Sequence, residues 1–79
     1  MSSVQAYVLI QTEPDKAVAA AAEIGRLDGV VSSEIITGPY DIIARIDAPD
    51  MDAAGRLVVS HIQMISGITR TTTCPVVHI

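Results

Sequence analysis

The most constraining feature of this chain is the order in which its hydrophobic period changes. In Val4–Gln11, VQAYVLIQ, one side of an extended strand would carry Val4, Ala6, Val8 and Ile10, the other Gln5, Tyr7 and Leu9. Ala17, Ala20, Ala21, Ile24 and Leu27 then recur at helical spacing. Strand signals return over Val30–Thr37 and Tyr40–Asp47, on either side of the Gly38-Pro39 turn. A second helical stripe follows, with Met51, Ala54, Val58, Ile62 and Ile65. A β-branched run, TRTTT, opens a last strand from Ile68 or Thr69 to about Val77. The order β-α-β-β-α-β predicts an α+β domain of ferredoxin-like type. It implies one antiparallel sheet with both helices on a single face and the first and third strands in its centre.

Local signals set the expected boundaries. Thr12 with Asp15 three positions on has the pattern of a capping box, and Pro14 suits a first turn, so the first helix is expected to start there and run to about Leu27. Gly29 can take the left-handed conformation that ends it. Asp50 or Asp52 can cap a second helix over Met51–Ile65, closed by Gly67. Pro75 cannot donate to a ladder, which places the last strand at an edge or puts a bulge there.

Two helices cover one face of such a sheet and leave the other bare. A chain of 79 residues buries only about 60 % of its unfolded surface and needs help from elsewhere. An intrachain disulfide is excluded, since Cys74 is the only cysteine. A structural metal is not expected, because His61, Cys74 and His78 lack ligand spacing, and no cofactor is implied. A second copy of the chain is therefore the expected cover, and a homodimer the expected minimum. The lone thiol suits a reducing cytoplasm. A net charge of −4, with only five scattered Lys and Arg, argues against direct binding of nucleic acid. No run of about 18 apolar residues suggests a membrane span.

The stretch ITGPYDIIARID, residues 35–46, raises a chemical question. Asp41 stands at the mouth of a strand about to enter the core. It can cap the hairpin, pair with Arg45 or Arg70, or receive a cation. Tyr40 beside it can line a cleft or an interface. Thr71 and Thr73 project from one face at period two, where their hydroxyls can bind a ligand or serve only strand propensity. His61 lies near the edge of the second apolar stripe and reads as a boundary residue. His78 reads as solvated. Cys74 reads as packing, with nothing basic nearby in sequence to activate it.

The segments GVVSSEIITGPYDIIARIDAPD and ISGITRTTTCPVV resemble the effector-binding domain of the Lrp/AsnC regulators, the regulation-of-amino-acid-metabolism module. The resemblance rests on a helix-ending Gly-Val, a TG-x-YD turn, and a Gly-aliphatic-Thr-Arg-Thr stretch further on, and it covers nearly the whole chain. It implies a dimeric α/β barrel in which two sheets face each other, with further association into octamers or decamers. It implies a small effector, usually an amino acid, bound near the turn. By matching position the candidates are Thr37, Gly38, Tyr40 and Asp41, joined by Thr71 and Thr73 from the last strand. Family regulators carry an N-terminal helix-turn-helix, whereas here the first strand begins within a few residues of Met1. The expectation is a single ligand-binding domain over residues 1–79, without its own DNA-binding domain, that can partner a full-length family member. Cys74-Pro75 departs from the aliphatic or aromatic residues expected there.

Two rival classes share the topology. Cofactor-free monooxygenases and small isomerases also use dimeric α/β barrels, but their chemistry needs a titratable group in the cavity. The strands offer only Asp47, Arg45 and two tyrosines before His78, so a binding module is favoured over an enzyme. ACT-like regulatory domains pair side by side instead of face to face.

Overall fold

The computed structural model describes residues 3–79. Strands β1 (Val4–Thr12), β2 (Val30–Ile35), β3 (Ile42–Ala48) and β4 (Ile68–Pro75) form one antiparallel sheet in the order β2-β3-β1-β4. Helices α1 (Ala17–Gly25) and α2 (Met51–Leu57) connect β1 to β2 and β3 to β4. The ferredoxin-like order and the central places of β1 and β3 are as the sequence predicts. β4 lies at an edge, where Pro75 ends it without a missing ladder bond in the interior.

The core is one aliphatic layer. Ala6, Val8 and Ile10 of β1 and Ile42, Ala44, Ile46 and Ala48 of β3 meet Ala20, Ala21 and Ile24 of α1 and Ala54, Leu57, Val58, Ile62 and Ile65 of the second helical segment. Alanines at the contact let α1 lie close to the sheet. Alternation along β1 and β3 leaves Tyr7, Leu9, Ile43 and Arg45 on the other face, which no element among the described residues covers.

Three local expectations are corrected. Thr12 does not cap α1. It is the last residue of β1, and Asp15 sits in a turn at φ 66°. The helix starts at Ala17 behind Lys16, which makes no side-chain cap. Tyr40 and Asp41 lie outside β3, which begins at Ile42, and β2 ends at Ile35, before Thr37. In the second helix Met51 is 48 % exposed, and Leu57, outside the expected stripe, is buried. Asp50, not Asp52, is the cap: its Oδ1 accepts from the Ala53 N–H at 2.7 Å. Beyond Leu57 the helix widens into a π turn, Val58–Ile62, in which the Gln63 N–H donates to the carbonyl five residues back, Val58, at 2.8 Å.

Candidate functional site

At one end of the sheet the β2–β3 connection meets the end of β1 and the start of β4. The Ile36 N–H donates to the Asp41 carbonyl at 2.9 Å, and the Asp41 N–H donates to the Ile10 carbonyl at 2.8 Å. The first closes the loop on itself and the second ties it to β1. Gly38, at φ 119°, supplies the conformation the turn requires. A Cβ there would meet nothing within 4 Å, so the glycine serves backbone geometry and no close packing contact.

The Asp41 carboxylate has a structural duty. The Thr12 N–H is on the same side of β1 as the Ile10 carbonyl, toward β3, but the β1–β3 ladder ends at the Ile10–Ile42 pair and leaves it without a strand partner. Asp41 Oδ2 accepts that N–H at 2.8 Å, with the Thr12 hydroxyl at 3.5 Å. Asp41 thus caps the frayed end of β1. Its Oδ1 takes no hydrogen bond from a described residue.

The same loop reaches across β1 to β4. Gln11 Nε2 donates to the Pro39 carbonyl at 2.8 Å, and the Tyr40 hydroxyl lies 3.1 Å from Thr72 Oγ1. Thr72 pairs with Leu9 and so faces the uncovered side of the sheet. Thr71 and Thr73 pair with Ile10 and Val8 and therefore project to the helix side. Thr71 Oγ1 accepts from Gln63 Nε2 at 2.7 Å. Around the β4 edge runs an open cleft of about 280 Å³ lined by Gln63, Ile68, Thr69, Arg70 and Thr71.

Of the residues singled out from sequence, Tyr40, Asp41 and Thr71 lie at this end of the sheet. Thr37 and Gly38 stand exposed in the loop. Thr73 lies further along β4, two residues beyond Thr71 on the helix side. Sequence reasoning missed Gln11, Thr12, Gln63 and Thr72 as site residues. Only the strand register, which decides the face of each threonine, could have found Thr72. At the centre of the uncovered face, Arg45 donates to the Tyr7 hydroxyl at 3.0 Å and stacks 5.5 Å from its ring centroid. Among the described residues no cluster of three His, Cys, Asp or Glu could hold a metal, and no helix is long and apolar enough to cross a membrane.

Residues 5–79 match the family model described as the Lrp/AsnC ligand binding domain. An uncharacterized HTH-type transcriptional regulator of Pyrococcus furiosus is 30 % identical over 71 residues, a match covering 86 % of this chain and 47 % of that protein. The chain thus spans about half the length of the curated relatives it matches. Among solved structures, a protein of Thermus thermophilus superposes with a TM-score of 0.91 at 28 % identity, over 96 % of this chain and 95 % of that one. A transcriptional regulator of Neisseria meningitidis, solved as its L-Met complex, shares the fold with a TM-score of 0.84 at 21 % identity, over 95 % of this chain and 50 % of that one.

Proposed function

Because this chain belongs to the Lrp/AsnC family through its ligand-binding domain, we propose that it binds an α-amino acid or a close analogue at the loop end of the sheet, and couples that binding to assembly with copies of itself or with a full-length family regulator. The observation that carries the reading is the convergence of the 36–41 loop, the end of β1 and the start of β4 within the matched residues. A zwitterion needs an acceptor for its ammonium and donors for its carboxylate. Asp41 Oδ1 is available for the first while Oδ2 stays on Thr12. Arg70, with Thr71 beside it in the β4 cleft, suits the second. Tyr40 would wall the site, with Thr37, Gly38 and Thr73 at its margins. The L-Met carried by the Neisseria regulator supports the ligand class.

The uncovered sheet face, with Leu9, Ile43 and the Tyr7–Arg45 pair, would be closed by a second copy to give the dimeric barrel, and octamers or decamers would build from such dimers. The module would act on transcription through its partners and not through direct contact with nucleic acid. It would bind and not catalyse, since the polar groups at the centre of that face already engage each other.

A thermal-shift screen against the twenty amino acids and related metabolites tests the binding. A ligand at 100 times its dissociation constant adds about 2.7 kcal/mol, and a domain of this size moves by roughly 4–8 °C per kcal/mol. A flat response across the whole panel would sink the proposal.

A further inference from the structure

A second cleft lies on the helix side, between the connection from α1 to β2 and the π turn. It has a volume of about 300 Å³ and is lined by Arg26, Leu27, Asp28, Leu57 and His61. The α1–β2 connection is held firmly. The Leu27 N–H donates to the Ile24 carbonyl at 3.0 Å, the Val30 N–H to the Leu27 carbonyl at 3.2 Å, and the Asp47 N–H to the Gly29 carbonyl at 2.8 Å. Gly29, at φ 94°, brings the connection against α2 so closely that a Cβ would stand 3.1 Å from Leu57 Cδ2. The wall carrying Arg26 and Asp28 is therefore built in advance of any ligand.

The opposite wall owes its chemistry to the π turn. In an unbroken α-helix, at roughly 100° per residue, His61 would fall within about 20° of Ala54 and point into the core. The widened turn takes up one extra residue, so Ile62 arrives where His61 would have been. Ile62 is fully buried, and His61 is left exposed on the flank beside Leu57. Core packing alone could have been met by an apolar residue at 61 in a regular helix. The wider turn instead keeps an imidazole on the wall of a cleft that already holds a cation, an anion and an apolar floor. None of the Arg26, Asp28 and His61 side chains is engaged by a hydrogen bond to a described residue.

We propose that this cleft is a separate small-molecule site for a zwitterion with an aliphatic tail. Arg26, aided by His61, meets the carboxylate. Asp28 meets the ammonium. Leu27 and Leu57 receive the tail. A ligand lacking either charge leaves one of the facing groups unmatched and binds less well. The site lies across the helices from the loop end of the sheet and does not depend on the site proposed there.

Amide NMR spectra of the nitrogen-labelled chain, titrated to millimolar L-leucine, L-valine and L-methionine, read the two sites separately. The expected result is saturable shifts at residues 26–29 and 57–61, with a binding curve distinct from any at residues 38–41 and 70–72. Isovalerate and isopentylamine, which each lack one charge, should shift the same amides far less. Arg26→Gln and Asp28→Asn, both at exposed positions, should keep the fold and each weaken the cleft response by roughly 10- to 150-fold, leaving the loop-end response unchanged. The proposal is overturned if all three amino acids leave residues 26–29 and 57–61 unmoved, if the two singly charged probes do as well as leucine, or if both variants titrate like the parent.

Discussion

The two faces of the sheet are made by the same strands, yet they are different materials. Toward the helices, β1 and β3 present Ala6, Val8, Ile10, Ile42, Ala44 and Ile46, all fully buried and wholly aliphatic. Toward the open side the alternate residues are Gln5, Tyr7, Leu9, Ile43, Arg45 and Asp47. The first face has a single task, to exclude water. The second mixes apolar area with hydrogen-bonding groups that already find partners, as Arg45 does on Tyr7. Such a mixture suits a surface that must be stable in water before a partner arrives and still bury apolar area afterwards.

The sharpest way to test the contrast is to remove the same bulk from each face. Ile46→Ala on the closed face should cost about 2–5 kcal/mol, because the tight core cannot collapse around the hole. Against a total of about 4–12 kcal/mol for a domain of this length, that is enough to leave much of the protein unfolded near body temperature. Chemical denaturation would read it directly. A loss near that of a surface substitution would mean the core layer is not the main source of stability. On the open face, Ile43→Asp should spare the folded chain and abolish its association. Light scattering of the parent should give a dimer or larger, and of the variant a folded monomer. A folded monomer for the parent at micromolar concentration would break the proposed role of that face.

Most of this contrast is legible in the sequence, because alternation and element order are local patterns that a short chain has few ways to satisfy. The loop end is less legible for reasons that are not local. Asp41 holds the Thr12 N–H because β1 runs two residues past its last pair with β3, Ile10–Ile42, and where a ladder ends leaves no mark in either strand alone. The same Thr12 has the spacing of a helix cap, since its distance to Asp15 fits a capping box whether or not the strand has ended. The TRTTT run declares a strand but not its facing. Its pairing with β1 sends Thr71 and Thr73 to the helices and Thr72 toward Tyr40.

Asp41 stands where the two faces meet at the sheet end, and its replacement separates structure from binding. Asp41→Ala removes the acceptor from Thr12 and should cost about 1–2 kcal/mol, with water reaching the half-exposed donor in part. Asp41→Asn keeps an acceptor oxygen and should melt closer to the parent. If the free oxygen receives a ligand ammonium, the asparagine variant should nevertheless lose most of its ligand-induced thermal shift. An unchanged shift would confine Asp41 to capping β1.

The smallest expected effect concerns how the closed face keeps its purity. The π turn between Val58 and Ile62 amounts to one residue more than a regular helix needs, and Ser60 within it is exposed. Deleting Ser60 should let the segment close into an α-helix. Ile62 would then follow Ala54, Leu57 and Val58 at regular helical spacing and keep its place in the core. Because no buried group is lost and the helix becomes regular, stability should change by less than about 1 kcal/mol, in either direction. His61, directly before Ile62, would keep its place on the wall beside Leu57. The deletion should therefore preserve the melting curve and also the amide shifts at residues 26–29 on titration with L-leucine. If the deletion instead unfolds the chain, the π turn is demanded by core packing, and the exposure of His61 is a by-product of that packing. If it folds and no longer binds at the cleft, the wall depends on the widened turn itself and not only on the residues it carries.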